Sequence, residues 1–458
     1  MLVLKRFGDY DPEQPYLLPP SPTDWLPEDH LAFFVPELVG LLELSGIYAD
    51  YAPEVGGRPP LEPRVMVAVW IYAYAVGVRS SRKVQAALVE DVAFRFLSGN
   101  QQPAYWALNR FRTRHREALA DLFAQSVRLA VKAGLVKLGH VAIDGSKLQS
   151  NSSKNKAMSY ARMQAEEQRL RQEISDYLGE CDDVDPAEDD HFGGHGPRSL
   201  PEHLKRFSNR LAAICKAKRE LEGEAKAAEA QRLEGKRKEA EAAGKAYQPR
   251  KVADEVAPVG KAQRNFTDLE SRIMLSGKTI IQGYNTQIAV DAANQVILAT
   301  SLTNQAAPTT HLPGLLTDIH KHTGRYRQEV SADAGYYNDT NIRAIEDAGA
   351  TALVAPGRIK HNEWRNQKAP RGQKPKNLTR RQEMKRFLST KAGKAKYRLR
   401  QVTAEPVYGQ IKSGRSLRQV LHRGLEKNRC LWNFDAAVHN LLKIFRHAPH
   451  VISKPITA

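Results

Sequence analysis

Residues 138–146 read LGHVAIDGS. Leu138, Val141, Ala142 and Ile143 form a short apolar run, preceded by Gly139 and ended by Asp144-Gly145. Such a run reads as a strand buried in a sheet. Its last residue before the expected turn is a carboxylate. An unpaired carboxylate is costly to bury, so Asp144 either faces water as an ordinary turn Asp or binds a cation. The pattern recurs. Glu329-Val330-Ser331-Ala332-Asp333-Ala334-Gly335 again ends a short strand in Asp followed closely by Gly, and Glu405 opens an amphipathic helix inside a very basic segment.

Outward from these stretches, 458 residues give room for a large core and two or three domains. The net charge is +18 and the pI about 9.7, while 41% of residues are hydrophobic. That describes a folded protein with a strong positive field. Nucleic acid is the first partner to expect and an anionic membrane surface the second. The start, MLVLKRFGDY, has no apolar core of signal-peptide length, and the longest apolar run, Val65 to Val78, is too short to span a bilayer. A soluble, cytoplasmic protein is expected. Cys181, Cys215 and Cys430 lie far apart without a CxxC pair, which supports neither a disulfide framework nor a zinc knuckle.

From Glu28 to about Gly134 the apolar spacing is helical throughout. One helix is expected from Ser81 to about Leu97, then a break over Ser98–Pro103, then a helix beginning AYWALNRFRTRHREAL. Two helices across a short Gly/Pro turn have the form of a helix-turn-helix. Asn109, Arg110, Arg112, Arg114 and Arg116 decorate the second, and alternate residues on a helix cannot all face DNA. An ordinary helical bundle with a solvated basic rim fits the same residues. Residues 1–134 are therefore expected to form a helical N-terminal domain.

Beyond Asp144 the segments 158–180 and 203–245 read as two long charged helices. Met163, Leu170, Ile174 and Leu178 line one, and Leu204, Phe207, Leu211, Ile214 and Leu221 the other, at heptad-like spacing. The acidic stretch CDDVDPAEDDHFGGHGP between them, with His191 and His195, reads as a loop tip or a metal site. Residues 150–260 are thus expected to be a helical insertion. The sheet pattern resumes with a hairpin, Thr279–Val290 and Val296–Leu302, then a helix at His311–His322 and a strand at Arg327–Ala332. A helix at Asn338–Ala348, a strand at Thr351–Ala355 and the helix with Glu405 follow. Without the insertion this is the element order of an RNase-H-like fold, α/β in class, with a mixed sheet flanked by helices. Its catalytic domain would comprise 135–149 and 261–458.

In VAIDGSK around Asp144, SADAGYYN around Asp333 and AEPVYGQIKSGRSLRQVLHRGLEKNR around Glu405, the chain resembles the DDE transposases of bacterial insertion sequences. FTDLESRIM, GYNTQIAVD and LWNFDAAVHNLLKI agree. The resemblance implies an enzyme that binds the ends of a mobile element, cleaves DNA and joins it to a target. The catalytic and metal-binding carboxylates would be Asp144, Asp333 and Glu405. A Tyr, Arg, Glu, Lys pattern around the last acid is matched in part: Lys412 has the six intervening residues, whereas Arg400 leaves four before Glu405 where three are usual. Tyr397, Arg400 and Lys412 are the implied DNA contacts here, beside Asn109, Arg110 and Arg112 in the N-terminal domain. Implied too are two Mg²⁺ ions, with Mn²⁺ as a substitute, and a homodimer or higher oligomer on double-stranded DNA. A nuclease that cuts without joining, or a regulator with lapsed catalysis, would share the fold. The stretch 358–400, with sixteen Lys or Arg against Glu363 and Glu383, suits a phosphate backbone. Trp364 and Tyr397 could stack on bases there or anchor within the protein.

Overall fold

The computed structural model describes residues 21–51, 60–192, 202–244, 256–305, 310–325, 327–357, 370, 372–373, 375 and 377–451. The side chains of Leu178, His191, His195, Leu204 and Trp364 lie outside that description.

Strand β1 (His140–Gln149) lies inside a six-stranded sheet, between β5 (Thr279–Asp291) and β7 (Glu329–Ala332). β5 runs antiparallel to it and β7 parallel. Neighbours on both edges explain the unbroken apolar run at Val141–Ile143, all fully buried. β8 (Thr351–Val354) extends the sheet beyond β7. On its other edge β5 pairs with β4 (Arg272–Ser276) through Thr279–Gly283 and with β6 (Ile297–Thr303) through Asn285–Val290. The order β6-β5-β1-β7-β8, with only the last two joins parallel, is that of an RNase-H-like sheet. Helix α10 (Leu312–Thr323) packs on β6, and α11 (Asp339–Asp347) on β8. Both helices present a strongly apolar face, Leu312, Leu315, Leu316 and Ile319 in the first and Ile342 and Ile345 in the second.

β1 continues past the apolar run. Asp144-Gly145 is not a turn: Gly145 pairs with Gln287 and the strand reaches Gln149. The antiparallel edge to β5 keeps the polar residues 144–149 extended, which a reading of hydrophobicity alone cannot detect.

Between β1 and the hairpin, α8 (Tyr160–Phe192) and α9 (Glu202–Ala242) pack together above a two-stranded ribbon, β2 (Ala157–Ser159) with β3 (Gln263–Asn265). They have a core of their own, in which Met163, Leu170, Ile214 and Leu221 are buried and Phe207 and Leu211 partly so. Lys218 pairs with Glu167 at 2.6 Å, and the Tyr160 hydroxyl donates to Glu222 at 2.7 Å.

The helical part begins with α1 (Leu31–Gly40), α2 (Ser45–Tyr48) and α3 (Pro63–Ala75). Every residue of α3 from Met66 to Tyr74 is buried, as expected for a helix apolar on all sides. The single helix expected over 81–97 is two, α4 (Ser81–Glu90) and α5 (Val92–Leu97). Asp91 divides them. Its backbone is extended, and its carboxylate accepts from Ala93 N at 2.8 Å and Phe94 N at 3.2 Å, a cap that favours a fresh start. Next come α6 (Tyr105–Arg114) and α7 (Arg116–Lys132).

Two compact units emerge, and they do not follow chain order. One comprises Met1–Val136, Gly414–Ser416 and Phe434–Ala458, the other Lys137–Ser413 and Leu417–Asn433. The last helix, α14 (Leu425–His447), thus divides its length between them, where the sequence assigned it wholly to the sheet domain. In the helical unit Arg79 makes a two-point ion pair with Asp435 of α14 and donates to the Arg415 carbonyl. Phe34 and Tyr74 pack edge-on against Phe445 and Phe434 at 5.0 and 4.8 Å.

Candidate active site

The parallel register of β1 and β7 pairs Ile143 with Ala332. Asp144 and Asp333 are each the next residue. They stand side by side where β7 ends and β1 runs on, in the opening beyond the carboxyl end of a strand where α/β sheets place their sites. Asp333 bends the chain at once: its carboxylate accepts from Gly335 N at 3.1 Å and caps the short turn Ala334–Tyr336. Asp144 is the more enclosed, its side chain only 15% exposed. Burial pushes its carboxyl up to about 6, outweighing the opposite pull of Arg400, and Asp333 and Glu405 add to the rise.

Gly145 has a steric role. A Cβ there would meet the Tyr336 hydroxyl at 3.3 Å and the Thr286 carbonyl at 3.4 Å. The buried Tyr336 ring thereby reaches under Asp144, and its hydroxyl has no hydrogen-bond partner among the described residues.

The third acid comes from α13 (Lys391–Gly409), which packs across β1 and follows α12 (Arg380–Ser389). Glu405 does not open this helix. Thr390 does, accepting from Gly393 N at 3.0 Å, and the basic residues 391–400 form the first turns. Glu405 lies near the other end, before Pro406. Pro406 has no N–H for the Val402 carbonyl, which accepts instead from Gln295 Nε2 at 3.2 Å, fastening α13 to the turn between β5 and β6. At the start of the same helix Lys396 pairs with Glu329, whose other oxygen meets His140 Nδ1 at 3.2 Å. His140 and Glu329 are register partners on the two acid-bearing strands, so this chain of contacts ties α13 to both.

Arg400 occupies the middle of the site. Its guanidinium is 3.4 Å from Asp144 Oδ1 and 3.9 Å from Glu405 Oε1, and it also feels the charge of Asp333. The contacts are long, and Arg400 Nε has no acceptor among the described residues. Tyr397 supports it from below, ring centre 5.8 Å from the guanidinium and hydroxyl 3.4 Å from the Ala332 carbonyl. Tyr397 is thus half-buried and engaged with β7, an anchor within the protein. Lys412 lies in a single π-helical turn, Gln410–Gly414, and donates to Ser146 Oγ and, at 2.6 Å, to the Lys147 carbonyl. Burial, with Lys147 and Arg418 nearby, pulls its ammonium down to about 8.

The sequence expected three carboxylates gathered on a metal pair. Among the described residues no three Asp, Glu, His or Cys side chains converge closely enough to hold an ion. The reason is visible: Arg400 stands in the field of all three acids, and Glu405, 55% exposed, turns outward. The donors still fit a hard divalent cation. They are carboxylate oxygens, one is buried at an electrostatic cost, and the orphaned Tyr336 hydroxyl leaves room for a further polar ligand.

In the helical unit Arg112 is not available to DNA. It is 3% exposed, stacks on Trp70 at 4.3 Å and donates to the Arg79 carbonyl at 2.6 Å. It also donates to Asn109 Oδ1 at 3.3 Å, one turn back on the same face, whereas Arg110, two residues earlier, lies on the far side of the helix and is exposed. Sequence reading also missed Ser146, Tyr336 and Gln295. Their only signal was proximity to the acids in the chain or to a turn.

The family described as Transposase DDE domain matches residues 267–441, which include Asp333, Glu405 and Lys412, and that described as Transposase domain (DUF772) matches residues 20–114. No curated protein and no solved structure matches the chain. No helix among the described residues is long and apolar enough to cross a membrane. With an RNase-H-like sheet that carries Asp144 within β1 and Asp333 just past the end of β7, and with both matches in the expected order, the chain belongs to the DDE transposases of insertion sequences, enzymes that use divalent metal ions to cleave DNA and transfer strands.

Proposed function

We propose that Asp144, Asp333 and Glu405 are the catalytic acids of this transposase and that they hold two Mg²⁺ ions, for which Mn²⁺ can substitute. The observation that carries the reading is the β1–β7 register, which brings Asp144 and Asp333 level, with Arg400 drawn into the field of all three acids. Asp144, Asp333 and Glu405 would supply the carboxylate oxygens that hold the ions. When bound, the ions activate the attacking oxygen, of water or of a 3′ hydroxyl, and steady the leaving oxygen at phosphorus.

The chain's own groups do the rest. Arg400, held by long contacts and incompletely bonded, moves off the acids to a phosphate as DNA enters. Lys412, presented on the π-helical turn beside Ser146, holds a second phosphate as a point charge. Tyr397 keeps the stem of Arg400 in line. The enzyme acts on paired element ends as a dimer or higher oligomer.

Titration of the metal-free protein with Mn²⁺, followed by electron paramagnetic resonance, tests the ligand set without recourse to activity. The parent is expected to bind Mn²⁺, with Asp144→Asn, Asp333→Asn and Glu405→Gln each weakening it and Arg400→Ala strengthening it. Unchanged binding in all three acid variants would remove the assignment.

A further inference from the structure

The helical unit has an open cleft of about 820 Å³ between the start of α4 and the outer face of α6. Arg82, Tyr105, Trp106, Asn109, Arg110 and Arg114 line it, and among the described residues no carboxylate does. Trp106 is 61% exposed and Tyr105 42%, although a Trp on a protein surface normally lies flat against a neighbour. The scaffold beneath is fixed: Tyr105 N donates to Gln85 Oε1 at 2.8 Å, and the Arg82 guanidinium sits 5.0 Å over the Tyr105 ring. Arg114 is compensated by Asp50 at 3.4 Å. Arg82 and Arg110 have no carboxylate partner among the described residues.

Arginines alone would suffice to track the phosphates of an intact duplex. A proud indole adds nothing to that contact, because a stacked base pair shows its faces only to its neighbours. It gains a partner where a base leaves the stack. The cleft has room for one nucleotide, a ring to receive its base and uncompensated cations at either side for the flanking phosphates.

We propose that this cleft captures a base unstacked from duplex DNA, with Trp106 stacking on the base and Arg82 and Arg110 holding the adjacent phosphates. The proposal rests on the reading of this chain as a binder of element ends, and not on its metal chemistry. It makes the cleft a detector of opened DNA rather than a reader of base edges alone.

The test uses the full chain without divalent metal, so cleavage plays no part. Fluorescence anisotropy would compare a random-sequence duplex with the same duplex carrying one unpaired adenine. The parent should bind the second on the order of tenfold more tightly, the usual worth of one base–aromatic stack. Trp106→Ala should abolish that preference and leave affinity for the perfect duplex within about twofold, while Trp106→Phe keeps most of it. Arg82→Ala and Arg110→Ala should weaken both duplexes alike and each lower the salt slope by about one unit. No preference in the parent, or a preference that survives Trp106→Ala, overturns the proposal. So does a shift in oligomeric state of Trp106→Ala with the preference intact, which would give the indole to a protein contact. Loss of Mn²⁺ binding by the acid site, by contrast, would leave this result untouched.

Discussion

Two arginine–aspartate pairs, one buried and one partly so, hold opposite places in this protein. In the helical unit Arg79 meets Asp435 through two nitrogens, donates to the Arg415 carbonyl and lies 5.1 Å over the Tyr74 ring. Burial alone would pull Arg79 down, yet the carboxylate wins and its pKa rises. In the sheet unit Arg400 approaches Asp144 at one point, 3.4 Å away, with Nε unbonded. Arg400 is raised by its acids as Arg79 is, but its partner is not held in the ionised form: burial lifts the Asp144 carboxyl to about 6 against the pull of Arg400. A saturated pair is a fastening. An unsaturated one, set in an opening at the end of β7, is a place where charge is exchanged.

The sharpest break between the pairs should come from stability. Asp435→Ala leaves Arg79 buried and unpaired and should cost about 3–5 kcal/mol in urea denaturation. If it costs no more than a surface substitution, the fastening is no such thing. Asp144→Asn should act with the opposite sign. An elevated carboxyl pKa means that the folded state disfavours the ionised form, so in EDTA at pH 7 the neutral amide should stabilise the fold by about 1–3 kcal/mol. Destabilisation there would show that Arg400 and Asp144 form a second fastening.

A smaller effect should attend the tether of α13. Lys396→Glu sets two acids against each other at Glu329 and should reduce cleavage, with at most about 1 kcal/mol of stability lost because the pair is partly exposed. Adding Glu329→Lys should restore cleavage if the pair positions the helix. Restoration failing in a folded double variant would assign Lys396 another part. The smallest effect concerns Lys412. Phosphate favours its charged form, and in the free protein that form is lost as pH rises through about 8. DNA affinity should therefore fall between pH 7 and 9, with the salt slope shrinking by about one unit, and Lys412→Arg should flatten the change.

The sheet was legible because its strands are short apolar runs punctuated by turn residues, and the positions of Asp144 and Asp333 followed from those runs. What escaped the sequence depended on partners. β1 continues through Gly145 and Ser146 because β5 lies beside it, and no periodicity within 144–149 reports that neighbour. Arg112 looked like its exposed neighbours Arg110 and Arg114, but Trp70, 42 residues earlier in the chain, makes it part of the core. Glu405 was found with the wrong helix boundary, since the basic residues before it carry little apolar pattern and Thr390 is a quiet cap. The division of α14 was hidden for the same reason: a uniformly amphipathic helix does not announce that its two halves face different cores.

The central claim is that Asp144 stands at the site of phosphoryl transfer and not in the framework. The most direct test incubates the full-length parent and Asp144→Asn with DNA carrying the element's ends and Mg²⁺, and follows cleavage and joining on a denaturing gel, with urea denaturation of the same samples alongside. Asp144→Asn should be folded at least as stably as the parent, bind the DNA at least as tightly and yield neither cut nor joined product. A folded Asp144→Asn that cuts and joins at the parent's rate would contradict the claim.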